Sequence, residues 1–283
     1  MVRSSGYASL PNFGRSGCIF AETVSMKTPW TPVISEMVGT ALLVGVGLSI
    51  VILDFSPTSP IVGILPDPGL RRLVTGFLFG TTGGLIAVSA IGKWSGAHIN
   101  PVVTMAFWLH GRFHTAHALR FVAAQLVGAA LGALPLLLWG HLGASVDYGA
   151  TMPGSSYGPL WATLGEVVTT YALILGLFVF LGHRGLRRFT PMLFPFLYAV
   201  MVFLEAPVSG TSTNPARSFG PSLISGAWPA WWVYWIGPIA GAALGVLTYQ
   251  FSWLRKLEFE VAKVYHFELD PHGLFGSRPG GKR

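Results

Sequence analysis

Long apolar stretches, separated by short segments rich in Gly, Pro and polar residues, run through most of this chain. Six of them approach the roughly 20 residues that cross a bilayer core as helix: about 33–53, 73–91, 116–139, 160–181, 192–206 and 231–251. The fifth is short, and its start can extend back toward Phe189. Two further apolar pieces, Pro101–Leu109 and Pro215–Ile224, are about half that length, too short to cross. Each directly follows an Asn-Pro pair, in SGAHINPVVT (Ser95–Thr104) and GTSTNPARSF (Gly210–Phe219). Asn-Pro usually marks a turn at a wet surface. Between membrane-length segments, it predicts half-helices that enter the membrane and turn back.

The two halves of the chain echo one another. EMVGTALLVG opens the first span at Glu36, and EVVTTYALILG opens the fourth at Glu166. GAALG stands at Gly128–Gly132 in the third span and at Gly241–Gly245 in the sixth. Each half therefore holds three spans, with a half-helix after the second. Three is odd, so the second half must insert upside down. Inverted repeats of this kind place functional sites near the midplane where the halves meet. The small-residue spacing in GAALG lets helices approach closely. The predicted fold is an all-α membrane bundle of six transmembrane helices and two re-entrant half-helices. Repeat one covers about 33–139 and repeat two about 160–251. The chain before residue 33 reads as a flexible cytoplasmic tail without a signal-peptide core, and 252–283 as a cytoplasmic C-terminal tail.

Composition agrees with the pattern. The chain is 52% hydrophobic and 10% charged, with mean hydropathy +0.58; a soluble domain carries about 25% charged residues. The net charge of +7 does not point to nucleic acid. Lys and Arg gather before the first span, in the loops after the second and fourth, and after the sixth, while 140–159 has none. That is the positive-inside pattern with both termini cytoplasmic, in a multi-pass plasma (inner) membrane protein surrounded by lipid. Arg71 and Arg72 fit the rule poorly. One cysteine, Cys18, excludes an internal disulfide framework and a Cys-based metal site. No nucleophile, metal-ligand set or acid–base pair stands at a catalytic spacing, so neither an enzyme nor a cofactor is expected.

The Asn-Pro pairs carry the candidate chemistry. Proline suits the first helical position because its missing N–H would be unpaired there anyway. Asparagine caps such a helix with its carbonyl oxygen, leaving its NH2 to donate. Inversion brings both N-termini, with their positive dipole ends, to the bilayer centre. Asn100, Pro101 and Val102 would meet Asn214, Pro215 and Ala216 in one lumen. Donors without acceptors favour a small neutral oxygen-bearing solute and oppose cations and protons. Glu36 and Glu166 are carboxylates at membrane depth, expensive and usually functional; a proton relay is one reading.

SGAHINPVVT, GTSTNPARSFGP and WWVYWIGPIAG together resemble the aquaporin, or major intrinsic protein, family over about 33–251. The first box departs from the family pattern, reading Asn-Pro-Val. The resemblance implies a pore in each protomer of a homotetramer. It also implies that Glu36 and Glu166 brace irregular backbone beside the motifs, and that His98 lines the cytoplasmic half of the pore. Family pores narrow at an outer constriction of four residues; counting from the motifs places these on Gly80, Val202, Thr211 and Arg217. Gly80 and Val202 are small and apolar where water-selective members carry Phe and His. This suggests a wide filter passing water and small neutral solutes such as glycerol, urea or neutral metalloid acids. Ser218 and Tyr234-Trp235 instead resemble strict water channels. A strict water channel and an ion- or proton-coupled secondary transporter stay open as alternatives. The histidines at 110, 114 and 117 read as ordinary solvated residues, and Glu205 as a vestibule residue without an assigned role.

Overall fold

The computed structural model of the protein describes residues 30–257, 259 and 262–265; the N-terminal tail with Cys18, and residues 266–283, lie outside the described residues. The helices are α1 (Trp30–Phe55), α2 (Pro60–Ile64), α3 (Pro68–Val88), α4 (Ala90–Ser95), α5 (Pro101–Leu109), α6 (Thr115–Ala133), α7 (Gly140–Ala144), α8 (Pro159–Gly182), α9 (Thr190–Ser209), α10 (Pro215–Ser225) and α11 (Val233–Phe251). No strand occurs among the described residues.

Local chemistry sets the boundaries. Asp67 caps α3 by accepting from the Leu70 amide, with Pro68 at the first helical position. The second predicted span runs to residue 91, but α3 ends at Val88. Ser89 is extended and its hydroxyl accepts from the Ile91 amide, so it ends one helix and caps α4. The third predicted span runs to Trp139, but α-helix gives way at Leu134 to a 3₁₀ segment, Leu134–Trp139. Pro135 cannot donate the α-helical hydrogen bond there. The half-helix expected over Pro101–Leu109 has those bounds.

Glycine contacts give the topology. A Cβ on Gly128 would lie 2.2 Å from the Met37 carbonyl oxygen, and one on Gly132 2.2 Å from that of Ala41. Both numbers rise together, so α6 runs parallel to α1 with backbones touching. In the second half, a Cβ on Gly241 would lie 2.4 Å from the Val167 oxygen, and one on Gly245 3.2 Å from Ile174. α11 is thus parallel to α8. Between halves the sense reverses: Gly76 faces Tyr198, Gly80 faces Phe194 and Gly84 faces Pro191, so α3 and α9 are antiparallel. These directions fit alternating crossings of six helices and require the second repeat to be the first one turned over.

The bundle is apolar outside and carries polar groups within. Leu119, Leu138, Leu160 and Phe251 are exposed, whereas Glu36, Thr40, Gln125, Glu166 and Thr170 are fully buried. Water would not favour that arrangement; lipid does. Among the described residues, four helical stretches are individually long and apolar enough to cross: Trp30–Phe55, Thr115–Ala144, Pro159–Gly182 and Arg187–Ser209. In α3 and α11 glycines dilute the apolar character, because these helices spend their length on close packing.

One expectation needs correction here, and two placements are added to it. Arg71, at the start of α3, is buried and donates to the carbonyls of Leu65 (2.7 Å) and Pro66 (2.8 Å), clamping the turn before α3. His117 is buried, and His110 sits half-buried among Phe178, Tyr249 and Phe259, so of the three histidines His114 alone is exposed. After α11 the chain packs back on the bundle: Phe259, Ala262, Lys263 and Val264 are buried. We call the side of the bundle from which α1 starts and at which α11 ends the terminal face, and the opposite side the far face.

Candidate functional site

The half-helices α5 and α10 meet at their N-termini through a reciprocal exchange. Asn100 Nδ2 donates to the Thr213 carbonyl at 2.8 Å, and Asn214 Nδ2 donates to the Ile99 carbonyl at 3.0 Å. Each Oδ1 meanwhile caps its own helix: Asn100 accepts from the Val102 amide, and Asn214 from the amides of Ala216 and Arg217. The sequence suggested that both NH2 groups would be free for the lumen. One of the two protons on each is instead spent holding the opposite motif, leaving one apiece. Pro101, Val102, Pro215 and Ala216 are buried at this junction, and Val102 is accommodated at 1% exposure.

The links entering both half-helices are strained in the same way. Ala97 and Ile99 have φ of 53° and 41°; Thr211 and Thr213 each have φ of 51°. Non-glycine residues at positive φ are uncommon, and each costs on the order of 1–3 kcal/mol. A buried glutamate offsets that cost in each half. Glu36 accepts from the amides of His98 (2.9 Å) and Ile99 (2.6 Å) and from Gln125 (2.7 Å). Glu166 accepts from the amides of Ser212 (2.7 Å) and Thr213 (2.8 Å) and from Ser209 (2.6 Å). Both carboxyl groups therefore have a geometric task, and neither lines either of the two cavities that flank the junction.

Two cavities flank the junction. The outer chamber opens toward the far face, holds about 470 Å³, and is lined by Val202, Thr211 and Arg217. The inner cavity lies toward the terminal face, holds about 40 Å³, and is lined by His98, Asn100 and Asn214. Gly80 does not belong to the outer chamber. It lines the inner cavity, and its Cβ direction points into α9, 2.3 Å from the Phe194 oxygen. The glycines at 76, 80 and 84 form one helix face that packs on α9. Phe79, one position back, is turned toward the lumen and lines both cavities.

Tyr198 is the second residue common to both cavities. Its ring centroid is 5.9 Å from that of Phe79, and its hydroxyl pairs with the Thr213 hydroxyl at 2.8 Å. These two aromatic residues form the waist between the chambers. Counting from the motifs missed both. The glycine repeat at i, i+4 and i+8 was the signal that Gly80 packs and that Phe79 faces elsewhere. For Tyr198, one turn before Val202 on α9, the sequence carries no comparable sign.

Arg217 is buried and donates to the Gly149 carbonyl at 2.7 Å, which fixes the guanidinium at the chamber wall. Glu205 accepts from the Thr211 hydroxyl. It orients the threonine. Ser218 bonds to Thr151 (2.6 Å) and Ser212, and Tyr234 donates to the Ser209 carbonyl (2.9 Å). Both brace the strained link and line neither cavity described above. His98 is buried against Phe107, with ring centroids 4.8 Å apart. Its Nε2 donates to the Ala262 carbonyl (2.8 Å), which leaves Nδ1 to accept from the Thr104 hydroxyl (3.1 Å).

Six spans, two capped half-helices meeting end to end, and a chamber on each side of the meeting point define a membrane channel. The model of the major intrinsic protein family matches residues 22–249, and the chain belongs to that family. It is 36% identical over 240 residues to aquaporin AqpM of Methanothermobacter marburgensis, covering 77% of this chain and 95% of that protein. It is 34% identical over 223 residues to aquaporin NIP1-1 of Zea mays, covering 77% and 73%. The match to aquaporin TIP4-4 of Zea mays, 37% identical, spans 58% of this chain and 65% of that protein. Among solved structures, the aquaglyceroporin from Plasmodium falciparum shares the fold with a TM-score of 0.67 at 20% identity, covering 80% of this chain and 98% of that one. The protein is therefore an integral membrane channel of this family and not an enzyme.

Thr211 offers a direct check on which cavity conducts. Its side chain borders the outer chamber. Thr211→Cys should make water permeability sensitive to mercurials, with most of the flux lost on treatment and restored by a thiol. The native chain, with Cys18 as its one cysteine, should resist. The check is light-scattering permeability of proteoliposomes before and after treatment.

Proposed function

We propose that the protein is a passive pore for water and small neutral hydroxylated solutes, closed to ions and protons. The observation that carries this reading is the junction itself. Two asparagines, each with one N–H to spare, border one cavity at the positive ends of two helices. Arg217 adds a fixed cation in the chamber beyond. At the junction cations and hydronium meet a positive potential and two aligned N–H donors, whereas a water or alcohol oxygen is accepted. A proton-coupled transporter would need carboxyl groups that exchange protons with the lumen. Glu36 and Glu166 are bound to backbone amides instead, which supports a channel. The clustered basic residues support placing the terminal face in the cytoplasm of a plasma (inner) membrane, and the family resemblance supports a homotetramer with one pore per protomer.

Solute size is set, in this reading, at the Phe79–Tyr198 waist and not at Gly80. Val202 and the volume of the outer chamber favour admission of glycerol-sized solutes as far as the waist. The Phe79 ring favours the narrower reading, a strict water channel, beyond it. Phe79→Ala should raise glycerol and urea permeability by about tenfold, a barrier change of about 1.4 kcal/mol, while water permeability does not fall. Paired water and solute measurements on the same vesicles test this. Native solute flux equal to that of protein-free vesicles, with robust water flux, would select the strict water channel. Gly80 is unsuitable for the same test, because any side chain there would displace α9.

A further inference from the structure

The chain after the last span comes back to the pore. Leu257 is tied down by the Tyr249 hydroxyl, which donates to its carbonyl. Phe259 then inserts between His110 and Phe178, with ring centroids at 4.8 Å and 4.9 Å, and meets Phe107 edge-on at 5.9 Å. Ala262 accepts from His98 Nε2 at 2.8 Å, and the Val264 amide donates to the Gly96 carbonyl at 2.8 Å. Gly96 itself has φ of 81°, and Lys263 packs on it so closely that a Cβ there would lie 3.1 Å from the lysine side chain. Ala262 and Lys263 have 0% exposure and Val264 4%. Val264 lines the inner cavity together with Asn100 and Asn214.

We infer that the segment bearing Phe259 and Ala262–Val264 is a plug seated in the terminal-face mouth of the pore, and that the structure shows its closed state. This rests on the reading of the inner cavity as the conduction path. Val264 ends that path with an alkyl group. Ala262 occupies, with a peptide carbonyl, the His98 donor that a passing water or alcohol oxygen would otherwise use. The inner cavity of about 40 Å³ exceeds the ~10–15 Å³ that one water needs, so water can stand there, held behind the plug. The segment follows the last transmembrane helix, and the bundle's own packing lies in the pairs α1–α6, α3–α9 and α8–α11, so the segment can leave its seat while those pairs stay in place.

The test uses the full chain in proteoliposomes of neutral lipid, read by stopped-flow light scattering. Phe259→Ala removes the ring anchor, and a chain ended after Leu257 removes the plug altogether. Both should raise water permeability per protomer by about tenfold over the native protein, as expected when a scarce open state becomes the common one. Equal permeability for native and altered chains, all above protein-free vesicles, would overturn the plug while leaving the pore reading intact. A second readout does not depend on flux. In a Cys18→Ser background, Val264→Cys is labelled with a maleimide in detergent, with and without Phe259→Ala. Slow labelling that becomes about tenfold faster on loss of the ring supports a seated, releasable segment. Fast labelling in both overturns it. If labelling accelerates but no chain conducts above protein-free vesicles, the inner cavity is not the water path, and the pore reading and the closure fall together.

Discussion

Glu166→Leu is expected to yield no stable channel. The carboxyl group receives the amides of Ser212 and Thr213 and the hydroxyl of Ser209, all within a bundle that excludes water. Leucine fills the space and accepts nothing. Each buried donor left unpaired costs about 1–3 kcal/mol, and three of them approach the 5–15 kcal/mol that holds a typical protein folded. The loss is compounded by strain, because Thr211 and Thr213 stay at positive φ only while those amides are held. Glu166→Gln keeps one acceptor oxygen but presents an NH2 where the other oxygen stood, donor facing donor. It should fold with a lowered thermal midpoint. Glu36→Leu should repeat the result in the first half, where His98, Ile99 and Gln125 are the donors. Monodispersity and thermal unfolding in detergent provide the measurement. A leucine variant as stable as the native protein would show that the glutamates do not hold the links.

The same geometry explains what could be read from the sequence. Asn-Pro before a short apolar run is a local signal, since cap and first-turn chemistry depend on a few adjacent residues. Both half-helices accordingly begin where Pro101 and Pro215 said they would. The inverted repeat was legible in the paired glutamates and GAALG segments, whose glycines, in α6 and α11, pack against α1 in one half and α8 in the other. Positions around a helix circumference were less secure. Counting back from Asn100 reached Gly80, but a shift of one residue turns a side chain by about 100°, and the ring beside it, Phe79, is the one that lines both chambers. Ser218 and Tyr234 looked like selectivity signals because they resemble residues of strict water channels; in space they support the link. The return of the chain after α11 was hidden for another reason. Arg255, Lys256 and Lys263 read as part of a cytoplasmic C-terminal tail, and burial of Lys263 depends on a groove that exists only once the bundle has folded.

Asn214→Asp and Asn100→Asp are expected to damage conduction to the same degree, because each asparagine serves the other motif. In either variant the cap survives, since one carboxylate oxygen can replace Oδ1. The donor does not survive. The second oxygen would stand about where Nδ2 now lies, 3.0 Å from the Ile99 carbonyl for position 214 and 2.8 Å from the Thr213 carbonyl for position 100. Two acceptors then face one another without a proton between them, and the half-helices must separate or rotate to relieve the contact. A negative charge also appears where the pore otherwise presents donors and positive dipole ends. Water permeability should fall by about tenfold or more, equivalent to at least 1.4 kcal/mol at the barrier, and cations should lose the electrostatic opposition that the junction supplies. Asn214→Gln separates the two causes: it keeps a donor and no charge but lengthens the side chain by one methylene. It should reduce flux through misplacement without admitting cations. The measurements are stopped-flow water permeability and dye-reported proton and potassium leak in the same vesicles. Aspartate variants that fold, conduct water at the native rate and remain tight to cations would remove the asparagine pair from the mechanism and leave Arg217 and the Phe79–Tyr198 waist to account for selectivity.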